Sequence, residues 1–251
     1  MKTLSLFNGL IIVFAISHQQ AKAQNKTFLA FDLGPKFEMY EYADNGKSLS
    51  TPPFYFSPIY GFALAQELNK TFVVETGLYV DDYGESYKIQ GDAAGFASNA
   101  FLAYQIPFRL RASQPLIKDK LFLTAGVGAV LAINSDAGFG SIGLASSFAS
   151  STSPGFNDST RTEYRSVLSE DKKYWLLETS LGFRYDLEDI VTFSLQGSIA
   201  QGFKRVNELE VSYWINDQDE QTAQVFTHGN YYSVTVGVHF VLSNLWQKPK
   251  I

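Results

Sequence analysis

The final apolar segment of the chain, residues 231–242, alternates strictly between large apolar side chains and smaller or polar ones. One side of the alternation carries Tyr232, Val234, Val236, Val238, Phe240 and Leu242. A period of two is typical of a β-strand whose two faces meet different surroundings. Similar segments recur along the chain, separated by connections that alternate between short and long. The pattern predicts an all-β protein.

We predict about eight strands, a number typical of the smallest membrane barrels. They cover residues 27–42, 54–68, 72–81, 101–111, 121–133, 174–187, 191–200 and 230–242. Most connections between them are either short turns or long polar loops, and the long loops are 43–53, 82–99, 134–172 and 204–230. Short turns on one side and long loops on the other are typical of outer-membrane barrels. The sequence predicts a single closed antiparallel up-and-down transmembrane β-barrel.

Two further features indicate whether the apolar face of the strands contacts lipid or a protein core. Charged residues such as Glu75 and Asp81 fall on the opposite face, and aromatic residues such as Tyr40, Tyr42 and Trp175 lie near strand ends. Aromatic belts at the interfaces and an enclosed polar face indicate a transmembrane barrel. The alternative is an exported soluble β-sandwich or lipocalin-like barrel, because alternation alone does not say what covers the apolar face.

Three prolines fall inside predicted strands: Pro35, Pro58 and Pro107. Each removes a hydrogen-bond donor from a sheet that has no free edge. We therefore expect bulges or local bends at these positions.

The first 23 residues have the features of an export signal. Lys2 supplies a positive start, residues 4–16 are mostly apolar, and Ala21-Lys22-Ala23 is a small-x-small cleavage site. We assign residues 1–23 to a signal peptide and residues 24–251 to one β-barrel domain. The chain has no cysteine, which excludes a lipoprotein anchor, disulfides and thiolate metal sites.

The formal net charge is −5, and it becomes −7 without the predicted signal peptide, which contains Lys2 and Lys22 and no acid. This acidic balance argues against nucleic acid as a partner. Phosphate-loop, nucleotide-fold and zinc motifs are absent, so we expect neither a cofactor nor a metal. The expected partners are outer-membrane lipid, the outer-membrane assembly machinery, and an unidentified extracellular or periplasmic protein.

Residues 102–110 (LAYQIPFRL) and 121–128 (LFLTAGVG) form an Ile-Pro-aliphatic strand, a turn, and an aliphatic strand with Gly-x-Gly. Here the chain resembles the small outer-membrane β-barrel family of Gram-negative bacteria, often called porin-like. Residues 182–187 (GFRYDL) and the aromatic last strand are similar too. The resemblance covers nearly all of the mature chain and implies an outer-membrane barrel without a specified site. Residues 243–251 depart from it, since many members end at the last strand.

Strand parity predicts a set of charged side chains inside the barrel. These are Asp32, Glu75, Arg109, Glu178, Arg184 and His239, most of them at a similar height. Gly126 and Gly128 on an inward face leave room for larger side chains from other strands. We expect a lumen polar network that plugs a narrow interior, because enclosed charges must be paired or hydrated. The alternative, functional interpretation is that these charges form a gate in a small polar pore.

We do not expect an enzyme, since the mature chain contains only His228 and His239 as histidine bases. His228 lies in a long loop with Asp217, Asp219 and Glu220 nearby, a combination that is common in polar loops. The expected function is an envelope-structural or surface-interaction role in the cell outer membrane. The alternative is a narrow porin for small polar solutes; a soluble exported binding protein or a membrane-embedded enzyme is less favoured.

Overall fold

The computed structural model describes residues 26–50, 55–89, 97–117, 120–134, 160–168, 172–187, 190–215 and 219–242. The predicted signal peptide and the tail 243–251 lie outside these residues. The strands are β1 (Thr27–Glu38), β2 (Glu41–Asp44), β3 (Leu49–Ser50), β4 (Tyr55–Glu67), β5 (Phe72–Ile89), β6 (Ala97–Ile117), β7 (Leu121–Asn134), β8 (Thr160–Leu168), β9 (Lys173–Leu187), β10 (Val191–Gly202), β11 (Asn207–Ile215), β12 (Gln221–Thr227) and β13 (Tyr231–Val241).

Eight of these strands form a closed barrel. The order around the wall is β5, β4, β1, β13, β10, β9, β7 and β6, and the pairing of β5 with β6 closes the ring. Every neighbouring pair is antiparallel. Closure satisfies the backbone hydrogen bonds of each wall strand without leaving an edge. The predicted fold, a closed eight-stranded antiparallel barrel, is confirmed.

The outer surface of the barrel is apolar and the inner surface is polar. Outward residues around the whole wall are large, apolar and substantially exposed, among them Leu33, Phe62, Leu78, Val127, Leu181, Leu195 and Val236. The residues that alternate with them face the interior and include the buried charged side chains of Asp32, Lys36, Glu38, Glu75, Asp81, Arg109 and Glu178. An exposed apolar surface of this extent is unfavourable in water and favourable in hydrocarbon. The barrel wall is therefore the membrane-spanning part of the protein.

The predicted long loops require correction, because each of them contains strand residues. β2 and β3 fall within 43–53 or at its edge, β5 and β6 extend into 82–99, β8 lies within 134–172, and β11 and β12 lie within 204–230. Four of these strands form a second sheet in the order β2, β12, β11, β8. Along the chain, β2 follows β1, β12 precedes β13, β11 follows β10 and β8 precedes β9. The barrel strands β1, β13, β10 and β9 are neighbours in that order, so the second sheet repeats their order. We call this second sheet the extramembrane sheet.

The prolines interrupt hydrogen bonding on one side of a strand without shifting the register. Pro35 and Pro58 face each other in the continuous ladder between β1 and β4, whereas the ladder from β1 to β13 omits Gly34 and Pro35. Pro107 pairs normally with Val130 on β7. The expected bulges at the three prolines are thus replaced by gaps in one ladder, because a missing N–H affects only the neighbour that it would face. A register shift does occur near Pro115.

The described part of the chain has no helix of the length and apolar character needed to cross a bilayer.

Candidate functional site

The interior of the barrel contains a connected set of charged side chains. Alternation along β1, β5, β6, β9 and β13 directs Asp32, Glu75, Arg109, Glu178 and His239 inward, and all five are buried. Sequence parity predicted these positions. We refer to them, with the side chains that join them, as the lumen network.

Arg109 is the centre of the lumen network. Its Nε donates to Glu178 Oε1 at 2.6 Å and its Nη2 to Glu178 Oε2 at 2.9 Å, which is a two-bond guanidinium–carboxylate contact. Its Nη1 lies 2.8 Å from Glu75 Oε1. Glu75 also accepts a bond from Arg111 at 2.8 Å. Both charges of the central pair are therefore compensated by short, directed hydrogen bonds.

A glycine allows Arg109 to reach Glu178 across an intervening strand. In the registers of β6, β7 and β9, Gly128 lies between Arg109 and Glu178. A Cβ atom at Gly128 would lie 2.5 Å from the Phe108 carbonyl oxygen and 3.0 Å from Arg109 Cγ. Such contacts are too close for any side chain. The missing side chain on β7 is what lets a residue of β6 pair with a residue of β9 inside the lumen.

Tyr79 links this centre to a second group of polar residues. Its hydroxyl accepts a bond from Arg109 Nη1 at 3.2 Å and donates to Asp32 Oδ2 at 2.5 Å. His239 Nε2 lies 3.5 Å from Asp32 Oδ1 and 3.0 Å from Ser194 Oγ. Asp32 and His239 meet because β1 and β13 are neighbours, as the sequence predicted for a closed barrel.

Ser194, His239 and Asp32 have the composition of a hydrolase triad but not its geometry. In a triad the carboxylate holds one ring nitrogen and the hydroxyl meets the other. Here both contacts involve Nε2 of His239. The three side chains crowd over Gly237, where a Cβ atom would lie 2.0 Å from Asp32 Oδ1 and 2.4 Å from Ser194 Oγ. This arrangement packs polar groups tightly over Gly237.

The upper part of the lumen network was missed by the sequence analysis. Lys36 contacts Glu38 at 2.9 Å and also pairs with Asp81, and all three side chains are fully buried. Lys36 Nζ lies 3.9 Å from the centre of the Tyr83 ring. The available signal was parity, since Lys36 and Glu38 share the inward face of β1 with Asp32.

Two polar side chains join the upper and central parts. Gln105 Nε2 donates to Asp81 at 2.8 Å, and Gln105 Oε1 accepts a bond from the Tyr231 hydroxyl at 3.0 Å. The same hydroxyl lies 3.3 Å from Glu178 Oε2. The result is one continuous set of contacts from Lys36 to His239.

Arg184, the sixth predicted residue, lies apart from this set. Its Nε is 3.1 Å from Asp186 Oδ1, its Nη1 is 3.8 Å from Glu67, and its guanidinium lies over the Phe122 ring at 4.3 Å. Arg184 is opposite Phe122 near the short turns, below the central pair. Arg184 nevertheless lines the same cavity as Glu75 and His239.

Apolar residues border the lumen network at both ends. Tyr83, Val130, Tyr174, Leu176 and Val206 belong to a buried cluster at the end with long connections. Phe28, Ala65, Val73 and Val241 form another at the end with short turns. A cavity of about 30 Å³ lies beside Arg111, Arg184, Ser194 and His239, and it has room for roughly two water molecules.

His228, the other histidine considered, lies outside the barrel interior. Its Nδ1 is 3.3 Å from Glu41 Oε1, and its ring meets that of Phe226 edge to face at 5.8 Å. Asp217 lies outside the described residues. Within the described ranges, no three His, Asp or Glu side chains are grouped as metal ligands would be.

Comparison with known proteins supports the fold. No protein-family model matches the chain, and no curated protein matches it. A similar solved structure is the outer membrane protein OprG from Pseudomonas aeruginosa, with a TM-score of 0.50 and 12% identity over 86% of this chain and 96% of that chain. Others are the outer membrane protein AlkL in lipid bilayers (TM-score 0.45, 12% identity, 87% and 90% covered) and an outer membrane channel from Pseudomonas putida F1 (0.30, 11%, 88% and 97%).

The fold and its surface define the class of protein. The closed antiparallel pairing and the apolar outer wall are those of a small transmembrane β-barrel, and OprG shares this fold. The resemblance inferred from the sequence is thus confirmed at the level of fold. The protein is an integral β-barrel of the outer membrane.

Proposed function

We propose that this protein is a closed, non-conducting barrel with an envelope-structural or surface-interaction role. The observation that carries the proposal is the burial of the lumen network: Lys36, Glu38 and Asp81 are fully buried, and Glu178 and Arg109 nearly so. A lumen of eight strands is just wide enough to be filled by its side chains. Ion pairs that span it act as a plug.

Opening this plug carries an energetic cost. Separating Arg109 from Glu75 and Glu178 exposes charges whose short hydrogen bonds are their main compensation. Removing one partner from a buried pair costs about 3–5 kcal/mol, because the remaining charge stays buried. A permanent aqueous path would also have to pass the apolar clusters at both ends of the lumen. The closed state is therefore the one that these contacts favour.

The extramembrane sheet supports the surface-interaction part of the proposal. It gives the protein an ordered surface beyond the lipid, with exposed polar residues such as Glu210, Thr222 and Gln224. A ready-made surface needs no ordering when a partner binds. We propose an extracellular or periplasmic protein partner in addition to lipid and the assembly machinery. We also propose that the protein is not an enzyme, in keeping with the contacts of His228 and His239.

Planar-bilayer recording tests the closed barrel. The wild-type protein is expected to give no stable current steps. An Arg109→Ala/Tyr83→Ala/Phe28→Ala variant, which truncates the central plug residue and one side chain of the apolar cluster at each end, is expected to give them. The variant shows that inserted barrels are detected. Stable steps from the wild type that change when Glu75 or Arg109 is neutralised would instead establish the narrow-porin alternative.

A further inference from the structure

The cavity at the short-turn end of the lumen is lined by groups of mainly positive charge. Arg111 and Arg184 line it together with Glu75 and His239. The two carboxylates that Arg184 contacts are not among the lining residues. Two permanent cations and one carboxylate therefore border this space, with a histidine beside them. The central arginine of the lumen network, by contrast, is paired with two carboxylates.

Arg111 shares its carboxylate with another arginine. Glu75 Oε1 accepts a bond from Arg109 Nη1 and one from Arg111 Nη2, each at 2.8 Å. One carboxylate oxygen thus serves two guanidinium groups. Arg111 Nε is buried, and none of the described residues accepts a hydrogen bond from it. A buried donor without an acceptor is costly, above all on a charged group, so an acceptor inside the cavity would be stabilised there.

Three hydroxyl groups also line the cavity. Ser113 of β6 and Thr124 of β7 are partners in the register of their strands, and Ser194 of β10 lies on another side of the lumen. A hydroxyl rotates to donate its proton to whichever acceptor is near. Hydrogen bonds from guanidinium and hydroxyl groups to an anion are stronger than those to a neutral acceptor. The lining thus provides both the charge and the donors that a small anion requires.

We propose that this cavity is a chloride-binding site. Arg111 donates to the ion through Nε, Arg184 supplies a second positive charge, and Thr124 donates through its hydroxyl. The volume of about 30 Å³ has room for roughly two water molecules, which suits a monatomic ion better than a phosphate with its four oxygen atoms. The short turns put the site at the periplasmic side of the membrane. The proposal does not depend on whether the lumen conducts.

Bromide, which replaces chloride and is located by its anomalous X-ray scattering, tests the position of the site. Crystals of the full mature chain grown in sodium bromide are expected to show an anomalous peak in the cavity beside Arg111 Nε. Arg111→Gln, in which Glu75 keeps Arg109 as a partner, should lack this peak. Lys120→Gln, which neutralises an exposed lysine at the same end of the barrel, is the matched control and should retain it. A wild-type cavity without a peak overturns the proposal, and so does an equal peak in Arg111→Gln, which would mark an adventitious ion only.

Urea unfolding in detergent micelles measures the same binding in solution. Sodium chloride replaces sodium gluconate at constant ionic strength, so the screening of surface charges stays the same. An ion that binds only the folded state raises the ratio of folded to unfolded protein about 100-fold when its concentration is about 100 times the dissociation constant. Arg111→Gln should weaken chloride binding about tenfold or more, because it removes a hydrogen bond to a charged group. Lys120→Gln should leave the binding unchanged.

A third variant keeps the test decisive if Arg111→Gln does not fold. Thr124→Val retains every charge and nearly the same side-chain shape, and it removes one hydroxyl donor from the cavity. It should lower the affinity for chloride about tenfold. A wild-type protein whose stability shows no saturable dependence on chloride overturns the proposal. The same chloride dependence in the wild type and in Thr124→Val also overturns it.

Discussion

The barrel wall and the extramembrane sheet are built from strands that follow one another along the chain, yet the wall encloses its polar face and the sheet encloses its apolar face. In the barrel, the enclosed residues are charged, as Glu75 and Arg109 are, and the apolar residues point outward. In the extramembrane sheet, the enclosed residues are apolar: Leu209, Val211, Tyr213, Ala223 and Val225. The comparison shows that period-two alternation fixes two faces and leaves open which face is enclosed. The surrounding solvent decides that: hydrocarbon around the wall, water around the sheet.

A change of register accompanies this reversal. In the barrel, Ala200 of β10 pairs with Tyr231 of β13, and continuing that register would bring Arg205 opposite Phe226. In the extramembrane sheet, Phe226 pairs with Glu208 instead, three residues farther along. An odd displacement moves every side chain to the other face. Odd-numbered residues point outward in β10 and are enclosed in β11 for this reason.

The largest expected effect is in the lumen network. Arg109→Met leaves Glu178 without its cation and should lower the free energy of unfolding by about 3–5 kcal/mol. Urea unfolding in detergent micelles, followed by the migration of unboiled samples on a denaturing gel, measures it. The double variant Arg109→Met/Glu178→Met removes both charges and should recover most of the loss. A double variant less stable than the single one would contradict the view that the unpaired charge causes the damage.

The next effect tests the lipid-facing side of the comparison. Leu181→Arg places a charge on the apolar wall near mid-height and should cost about 2–4 kcal/mol. Gln224→Arg, on the exposed face of the extramembrane sheet, should change stability by less than about 0.5 kcal/mol. Urea midpoints in vesicles of one lipid provide the measurement. Equal costs at the two positions would mean that the wall does not face hydrocarbon.

A smaller, local effect is expected in the extramembrane sheet. Val211→Ala removes buried aliphatic volume and should destabilise the sheet by about 1–3 kcal/mol. Amides of 207–215 and 221–227 should then exchange hydrogen roughly ten times faster or more, with barrel amides unaffected. Ser212→Ala, on the opposite face of β11, is the control. Faster exchange throughout the barrel would show that the two regions unfold as one unit.

The smallest effect concerns one hydroxyl. The Tyr213 hydroxyl donates to Asp44 Oδ1 at 2.7 Å, and burial together with this bond raises the pKa of Tyr213 to about 12. The ordinary tyrosine pKa is about 10, so the stabilisation is complete below about pH 10 and is lost as the pH rises through 12. Tyr213→Phe should cost about 1 kcal/mol at neutral pH and remove this alkaline dependence.

The fluorescence of Trp214 reports the unfolding of the extramembrane sheet, both with Tyr213 present and in Tyr213→Phe. It is recorded during urea unfolding at pH 9 and pH 11 in a Trp175→Phe/Trp246→Phe background. An unchanged difference between the pH values after Tyr213→Phe would assign the dependence to another group.

Parity predicted Asp32, Glu75, Arg109, Glu178 and His239 as enclosed, but not how they pair. Glu75 with Arg109 and Asp32 with His239 follow from the adjacency of their strands in a closed barrel. The contact between Arg109 and Glu178 does not, because β7 lies between β6 and β9 and only the absence of a side chain at Gly128 opens the way. Lys36 was on the predicted inward face, yet its pairing with Asp81 crosses β4, which separates β1 from β5.

The sequence by itself determined the alternation and the residues that share a face, because these depend only on neighbouring positions along one strand. The count of alternating segments predicted the number of wall strands. Tertiary structure decided the register between strands, the separate sheet beyond the lipid and the partners of each enclosed charge. The reason is that these depend on distances across the closed barrel, where tilt, stagger and small side chains set which atoms meet. The same alternation therefore encloses polar side chains in the barrel and apolar side chains in the extramembrane sheet.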